Sequence, residues 1–327
     1  MKTFRLLAAA AIGVLASSFG ATAGATPTTS TPAVQPEQGT GAIRSIGGPI
    51  RSAAKSIEEL RAEAEAGDRE AQADLGTRLL SFNDHAQAVE ARRWLRRAAD
   101  AGSAEAKNSL ATALLMGLGG AVDAAEGRRL QEEAAREGSV GANLSLGERY
   151  VRGVEGYPRD PARGFAHIQT AARSNQPGSD FAQWRLAMMH LEGIGTPRNS
   201  EEAYRILVAS SEAGGVRAMI SRAVMLATGD GVAKDPVAAR HWYQKAAESG
   251  QHGFEHGLRG LGAMMAVGEG GAVELARGVA YLRIASAAGD QTASRVLDML
   301  ASAITPQIDD EAKRLAGEWM QRHLPQR

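Results

Sequence analysis

The stretch from Gly214 to Gly250, GGVRAMISRAVMLATGDGVAKDPVAARHWYQKAAESG, decides the fold. Small and apolar residues recur at Ala218, Ala223, Val224 and Leu226, which predicts a helix beginning near Val216. Gly229 and Gly231 interrupt that pattern, Asp235-Pro236 restarts it, and a second helix follows from Val237 to Glu248. Proline just inside a helix start and glycine just past its end are the expected asymmetry. Neither helix buries its apolar face alone, so the unit needs neighbours of its own kind.

The rest of the chain supplies them. Stepping back seven residues from the Ala246-Ala247 pair starts a column of small residues in the second helices: Ala91, Gly127, Gly164, Ala203, Ala239 and Gly278, at intervals of 36 to 39 residues. The first helices carry another, Ala71, Ala106, Ala142, Ala182, Ala218, Gly257 and Ala293. Four positions later stand Leu75, Leu110, Leu146, Leu186, then Arg222, then Leu261 and Leu297. Terminating glycines fall at Gly67, Gly102, Gly138, Gly214, Gly250 and Gly289, with Asn175 standing in once. Small residues at fixed intervals let helix backbones approach closely, as stacked helix pairs require.

The pattern A-x-x-x-L-G-x-x-Y, a G-x-G-V loop and D-x-x-x-A-x-x-W-Y-x-x-A-A-x-x-G resembles the Sel-one-like repeat, a relative of the tetratricopeptide repeat. Gly229-Asp230-Gly231-Val232, Asp235, Ala239, Trp242-Tyr243, Ala246-Ala247 and Gly250 carry the match. The resemblance covers roughly residues 57 to 323. It implies an all-α solenoid of six to seven stacked helix pairs, and members of that family are mostly adaptors for other proteins.

Residues 1–23 have Lys2 and Arg5, an apolar run LLAAAAIGVLASSFG and Ala21-Thr22-Ala23, the layout of a secretory signal. Cleavage falls after Ala23 or Ala25, with an uncleaved anchor as the rival reading, though the run is short for a span. The chain has no cysteine, which excludes disulfides and lipid attachment at a cysteine. Lys plus Arg and Asp plus Glu number 37 each, and loss of Lys2 and Arg5 leaves a net charge of −2. That balance gives no electrostatic case for nucleic acid or an anionic membrane. Residues 24–55, rich in Pro, Thr, Ser and Gly, form a linker, and residues 56–323 the repeat array. Ile57 to Ala66 starts the stack as a half repeat; Gln291 to Ser302 and Ile308 to His323 close it. Asp309 and Asp310 at the start of the last helix, and Arg322 and His323 at its end, suit the macrodipole.

The sequence carries little that points to chemistry. His252-Gly-Phe-Glu255-His256 matches H-x-x-E-H, a zinc pattern. Gly253 inside it, Gly257 beside it and the lack of a third ligand argue that the match is accidental. His167, His190 and His241 are read as packed or solvated, and the G-x-G turns as repeat punctuation rather than phosphate loops. No catalytic residue, metal or cofactor is expected. The run Arg92-Arg93…Arg96-Arg97 is read as a coat on the outer helix surface, with Glu90, Asp100 and Glu105 close by. Trp94 and Trp242 share a column with Leu130, Ile206 and Tyr281 and are assigned to the core. Arg222 replaces the column leucine, so its stem must reach water or a carboxylate must meet it.

One face is chemically inconsistent between copies. Positions −2, +2 and −5 from the leucine column lie about 160°, 200° and 220° round the first helix. In the first two pairs they are Ala73, Thr77, Glu70 and Asn108, Thr112, Glu105, a set expected to be solvated. The third pair has Leu144 and Glu148; the fourth Trp184, Met188 and Phe181; the fifth Ile220, Val224 and Arg217; the sixth Arg259, Ala263 and His256. First helices line the concave side in tetratricopeptide relatives, so the resemblance places an apolar strip in a groove. The partner-binding candidates are Leu144, Phe181, Trp184, Met188, Ile220 and Val224, with Arg185, Arg217, Arg222 and Arg259. The competing reading packs these residues between adjacent first helices. The expected function is a non-catalytic scaffold of the bacterial cell envelope, periplasmic or secreted, that binds a protein or peptide and no nucleic acid and does not stay inserted in a membrane. The alternative is an enzyme or modulator of envelope polymers such as peptidoglycan or exopolysaccharide. A polar, carboxylate-lined cavity favours the enzyme and an open apolar strip the scaffold.

Overall fold

The computed structural model describes residues 55–82 and 84–323. The predicted leader of residues 1–23, and the linker up to residue 54, lie outside them. Among the described residues there are fifteen α-helices and no strand. They are α1 (Ile57–Glu65), α2 (Arg69–Leu80), α3 (His85–Asp100), α4 (Ala104–Met116), α5 (Ala124–Arg136), α6 (Val140–Arg152), α7 (Pro161–Ala172) and α8 (Ser179–Glu192). There follow α9 (Ser200–Glu212), α10 (Val216–Thr228), α11 (Pro236–Glu248), α12 (Phe254–Val267), α13 (Leu275–Ala287), α14 (Gln291–Leu300), one turn of 3-10 helix (Ala301–Ala303) and α15 (Pro306–His323).

Local chemistry sets the boundaries. Ser56 and Glu59 form a capping box at α1, whose serine oxygen accepts from Glu59 N at 3.1 Å. Asp68, Asp84, Ser103, Asp123, Ser139, Asp160, Asn199, Asp235 and Asp290 cap later helices through a side-chain oxygen. Pro161 and Pro236 stand in the first turn, where no amide hydrogen is needed. All six glycines assigned to terminate second helices adopt positive φ. Asn175 does not. Glu155 is the one non-glycine with positive φ among the described residues, and Gly178 (φ 90°) makes the left-handed turn before α8. The connection from Arg173 to Gly178 is longer than its counterparts, so a fixed period placed the turn too early. The last helix begins two residues before the expected Ile308, at Pro306.

The fold comprises two units, divided within α8: residues up to Met189 with 194–197, and residues 190–193 with 198–323. In the N-terminal unit each helix from α1 to α6 packs on the one that follows, and among the first helices α2 also touches α4 and α4 touches α6. In the C-terminal unit each helix from α9 to α13 packs on the one that follows, α10 reaches α12, and α15 lies against α13. The leucine column is core: Leu75, Leu110, Leu146, Leu186 and Leu261 are buried. Trp94, Trp242 and Leu130 are buried too, while Ile206 and Tyr281 are half-buried.

The loop between the helices of each pair docks on the preceding repeat. A Cβ on Gly231 would stand 2.4 Å from Ser200 O at the start of α9, and one on Gly270 2.2 Å from Pro236 O. The second glycine of the G-x-G turn is thus needed for close approach rather than for a phosphate. Arg92 fastens such a loop: its guanidinium donates to Ala113 O at 2.8 Å and Ala121 O at 3.1 Å, and its Nε to Leu118 O. Arg240 repeats the contact with Met264 O at 3.2 Å and Ala272 O at 3.0 Å. Arg92 is therefore a clamp between repeats, not part of a surface coat. Arg92→Ala is expected to cost about 2 kcal/mol, the usual worth of hydrogen bonds to a charged group. A urea titration in which Arg92→Ala and wild type coincide refutes the clamp.

Candidate functional site

The candidate residues divide by unit. In the N-terminal unit, Leu144 on α6 and Phe181, Trp184 and Arg185 on α8 are half-buried. The Phe181 and Trp184 rings lie 5.4 Å apart at 38°. Arg185 Nε donates to Glu148 Oε1 at 2.5 Å, which ties α8 to α6 one turn beyond Leu144 and Phe181. Met188, expected on the same face, is only 4 % exposed and belongs to the interior.

In the C-terminal unit Arg217 is exposed and Val224 half-buried, but Ile220 is 2 % and Arg259 4 % exposed. Ile220 belongs to a core cluster with Leu261 and Met264 of α12. The first repeats show the same effect: Asn108 and Thr112, expected in solvent, are buried. Where first helices neighbour one another within a unit, as α2 and α4, α4 and α6, and α10 and α12 do, a residue pointing away from its own helix pair falls into the crease with the next repeat. Met188, Ile220 and Arg259 are all buried and are not exposed binding positions. Buried Asn108 is held by polar contacts: Gln131 Nε2 donates to its Oδ1 at 3.3 Å, and Tyr157 OH to Gln131 Oε1 at 3.1 Å.

Arg222 resolves both ways. Its guanidinium carbon sits 4.1 Å from the Trp242 ring centroid, and Nη1 reaches Ser211 Oγ at 3.0 Å and Glu212 Oε1 at 3.4 Å. The stem crosses the core position, the charge lies on an aromatic face, and a rim carboxylate meets it.

The H-x-x-E-H stretch is otherwise engaged. His256 Nδ1 lies 2.7 Å from Asp290 Oδ2, to which Arg259 Nη1 donates at 2.9 Å. Asp290 Oδ1 meanwhile accepts from Thr292 N and Ala293 N at the start of α14. Burial alone pushes the Asp290 carboxyl up. The His256 hydrogen bond, the Arg259 charge and the helix amides outweigh it and bring the pKa down to about 2. Among the described residues no group of three or more His, Asp or Glu side chains is placed to hold a metal ion.

The sequence did not reveal a cleft in the N-terminal unit of about 220 Å³. Arg69, Glu70, Ala73 and Asp74 of α2, Ser103 to Glu105 at the start of α4, Glu137 and Ser139 before α6, and Gln176 line it. It is polar and open. Glu133 and Glu137 also hold Lys107, whose Nζ lies 2.6 Å from Glu133 Oε1. Glu70 and Glu105 occupy one column, the first turn of successive first helices; that repetition was the available signal.

Six Sel1 repeats match, at residues 69–103, 104–139, 141–176, 180–215, 216–251 and 256–290. The chain belongs to the Sel1 repeat family. Sel1 repeats typically mediate protein–protein interaction on a non-catalytic scaffold, and no catalytic family is indicated. Over 121 residues the chain is 31 % identical to chitin synthase regulatory factor 3 of Schizosaccharomyces pombe. Over 170 residues it is 27 % identical to chitin synthase regulator SKT5 of Malassezia restricta. Those stretches cover 37 % and 50 % of this chain, but only 13 % and 12 % of the fungal proteins. Among solved structures, a protective antigen of uropathogenic Escherichia coli with an SLR fold matches at a TM-score of 0.60 and 26 % identity, over 81 % of this chain and 56 % of that one. A Sel1 repeat protein of Oxalobacter formigenes matches at 0.53 and 23 %, over 76 % of this chain and all of that one. The second likeness speaks to fold alone. No described helix is long and apolar enough to cross a membrane.

Proposed function

We propose that this Sel1 repeat protein is an exported scaffold of the bacterial cell envelope, and that a protein or peptide partner docks on the first-helix face of its third and fourth repeats. The carrying observation is the half-buried set Leu144, Phe181 and Trp184 in the N-terminal unit. Equivalent positions in neighbouring repeats are buried at Asn108 and Ile220, whereas Leu144, Phe181 and Trp184 are only half-buried. Aromatic residues and arginine, here Trp184 beside Arg185, dominate binding hot spots. Export rests on Lys2, Arg5, the apolar run and the A-x-A sites. Two relatives named as regulators of chitin synthase suit a repeat array that acts on another protein rather than on a substrate of its own. The carboxylate-lined cleft alone fits the enzyme reading. At about 220 Å³ it is smaller than the roughly 300–1,000 Å³ of small-molecule sites, which counts against a substrate pocket.

Trp184→Ala is expected to weaken the partner captured from an envelope extract by about 2 kcal/mol and to leave the melting temperature nearly unchanged. A loss of several kcal/mol in stability with binding intact makes Trp184 core and sinks the proposal. The protein recovered from the envelope fraction should begin at Gly24 or Thr26; N-terminal sequencing that finds Met1 in soluble material removes the export argument.

A further inference from the structure

We infer that the loop of the third repeat forms an oxyanion site, taking a phosphate or carboxylate group on the guanidiniums of Arg128 (α5) and Arg149 (α6). The starting observation is a contact between repeats that has lost its hydrogen bonds. Arg92, Arg128 and Arg240 share one register, each one residue after the small-residue column at Ala91, Gly127 and Ala239. Each lies against the equivalent loop glycine of the following repeat: a Cβ added to Gly120, Gly156 or Gly271 would run into Nη1 of Arg92, Arg128 or Arg240 respectively. Arg92 and Arg240 donate there to backbone carbonyls. Arg128 donates to nothing among the described residues.

The loop explains the difference. From C-cap glycine to the next N-cap it runs Gly117 to Asp123 and Gly268 to Glu274 in the two clamped repeats, but Gly153 to Asp160 in the third, one residue longer. The longer loop holds Glu155 at φ 54°, a strained conformation for a residue with a side chain. Arg149 stands where the other two repeats have Ala113 and Met264, three residues after the leucine column. It is 5 % exposed, and its Nε donates to Glu155 Oε2 at 2.6 Å. Its Nη1 and Nη2 have no acceptor among the described residues. Two guanidiniums thus meet one loop at consecutive residues, Arg149 at Glu155 and Arg128 at Gly156. Burial pushes the Tyr157 hydroxyl up, and both arginines are near enough to oppose that push.

A buried guanidinium with donors left unmade carries a desolvation cost. An oxyanion removes it, because the planar fork of Nη1 and Nη2 matches two oxygens of a phosphate or carboxylate. A cation is repelled, and an apolar group leaves the donors as they are. Glu155, and Glu132 exposed on α5, oppose the anion, so removing the Glu155 charge should strengthen binding.

Calorimetric titration of the purified chain with inorganic phosphate and, separately, with acetate, at constant ionic strength, tests this. A saturable site is expected for at least one of them, and the tighter of the two names the class of group. Arg128→Gln should weaken it about tenfold, the worth of a hydrogen bond to a charged group. Glu155→Gln should tighten it severalfold, whereas a merely structural Glu155 would change the melting temperature and leave anion affinity alone. Should Arg128→Gln not fold, the tightening in Glu155→Gln keeps the test. No saturable site for either anion, or a site that ignores both exchanges, overturns the inference and leaves those donors to water.

Discussion

Asp290→Ala is expected to lower the unfolding free energy by about 3–5 kcal/mol, the range for breaking a buried ion pair from one side. One carboxylate performs three tasks. Its Oδ1 caps α14 through Thr292 N at 2.9 Å and Ala293 N at 3.0 Å, and its Oδ2 meets both Arg259 and His256 of α12. Asp290 is 5 % and Arg259 4 % exposed, so alanine leaves a guanidinium in the interior without its counter-charge. Asp290→Asn retains an acceptor for the helix amides and should cost less, which separates the cap from the charge. The folded carboxyl titrates at about 2, below the ordinary 3.8, so its ionised form contributes about 2 kcal/mol to stability. That contribution is present in full above pH 3.8 and disappears as pH falls through 2. Urea unfolding of wild type and Asp290→Ala should accordingly diverge at pH 6 and converge towards pH 2. A gap that stays constant with pH shows that lost packing, not lost charge, causes the effect.

The helix pairs were legible because they follow from columns that any stacked array must keep. Ala106 and Ala142 allow close approach, Leu110 and Leu146 fill the interior, and Gly102 and Gly138 stop the helix. The exception at Asn175 shows the limit of a fixed period: inserted length moves the turn, and only Gly178 satisfies the backbone there. Exposure on the opposite face was less legible. Whether Asn108 or Ile220 reaches solvent depends on how closely the neighbouring first helix lies, and no single repeat encodes that distance. Arg259 looked like a rim charge for the same reason. Its partner Asp290 is 31 residues away and His256 lies 34 from Asp290, so a search for pairs about one repeat apart finds the cluster where local spacing does not. The acidic cleft escaped notice because each of its glutamates, taken singly, is an ordinary first-turn residue.

Gly278→Val is expected to cost about 3 kcal/mol, whereas Gly317→Ala should gain somewhat under 1 kcal/mol, although both glycines lie within helices. Gly278 of α13 crosses Gly262 of α12. A Cβ on the first would stand 2.6 Å from Gly262 O and 2.8 Å from Ala266 N, and one on Gly262 would stand 2.8 Å from Gly278 O. All three obstacles are backbone atoms, which no rotamer change can move aside. A β-branched side chain must therefore push the two helices apart, and the small-residue column loses the contact it exists to make. Gly147 and Gly164 repeat the crossing between α6 and α7, where a Cβ on Gly164 would stand 2.7 Å from Gly147 O. Gly317 of α15 has nothing within 4 Å of its added Cβ, so alanine there only removes the entropy a helical glycine loses on folding. Tryptophan fluorescence suits the comparison, since Trp242 and Trp319 are buried in the same unit as both sites. Equal destabilisation by the two substitutions would show that helical glycine as such, rather than the crossing, sets the cost. A neutral Gly278→Val would show that α12 and α13 do not approach as closely as the small-residue column demands.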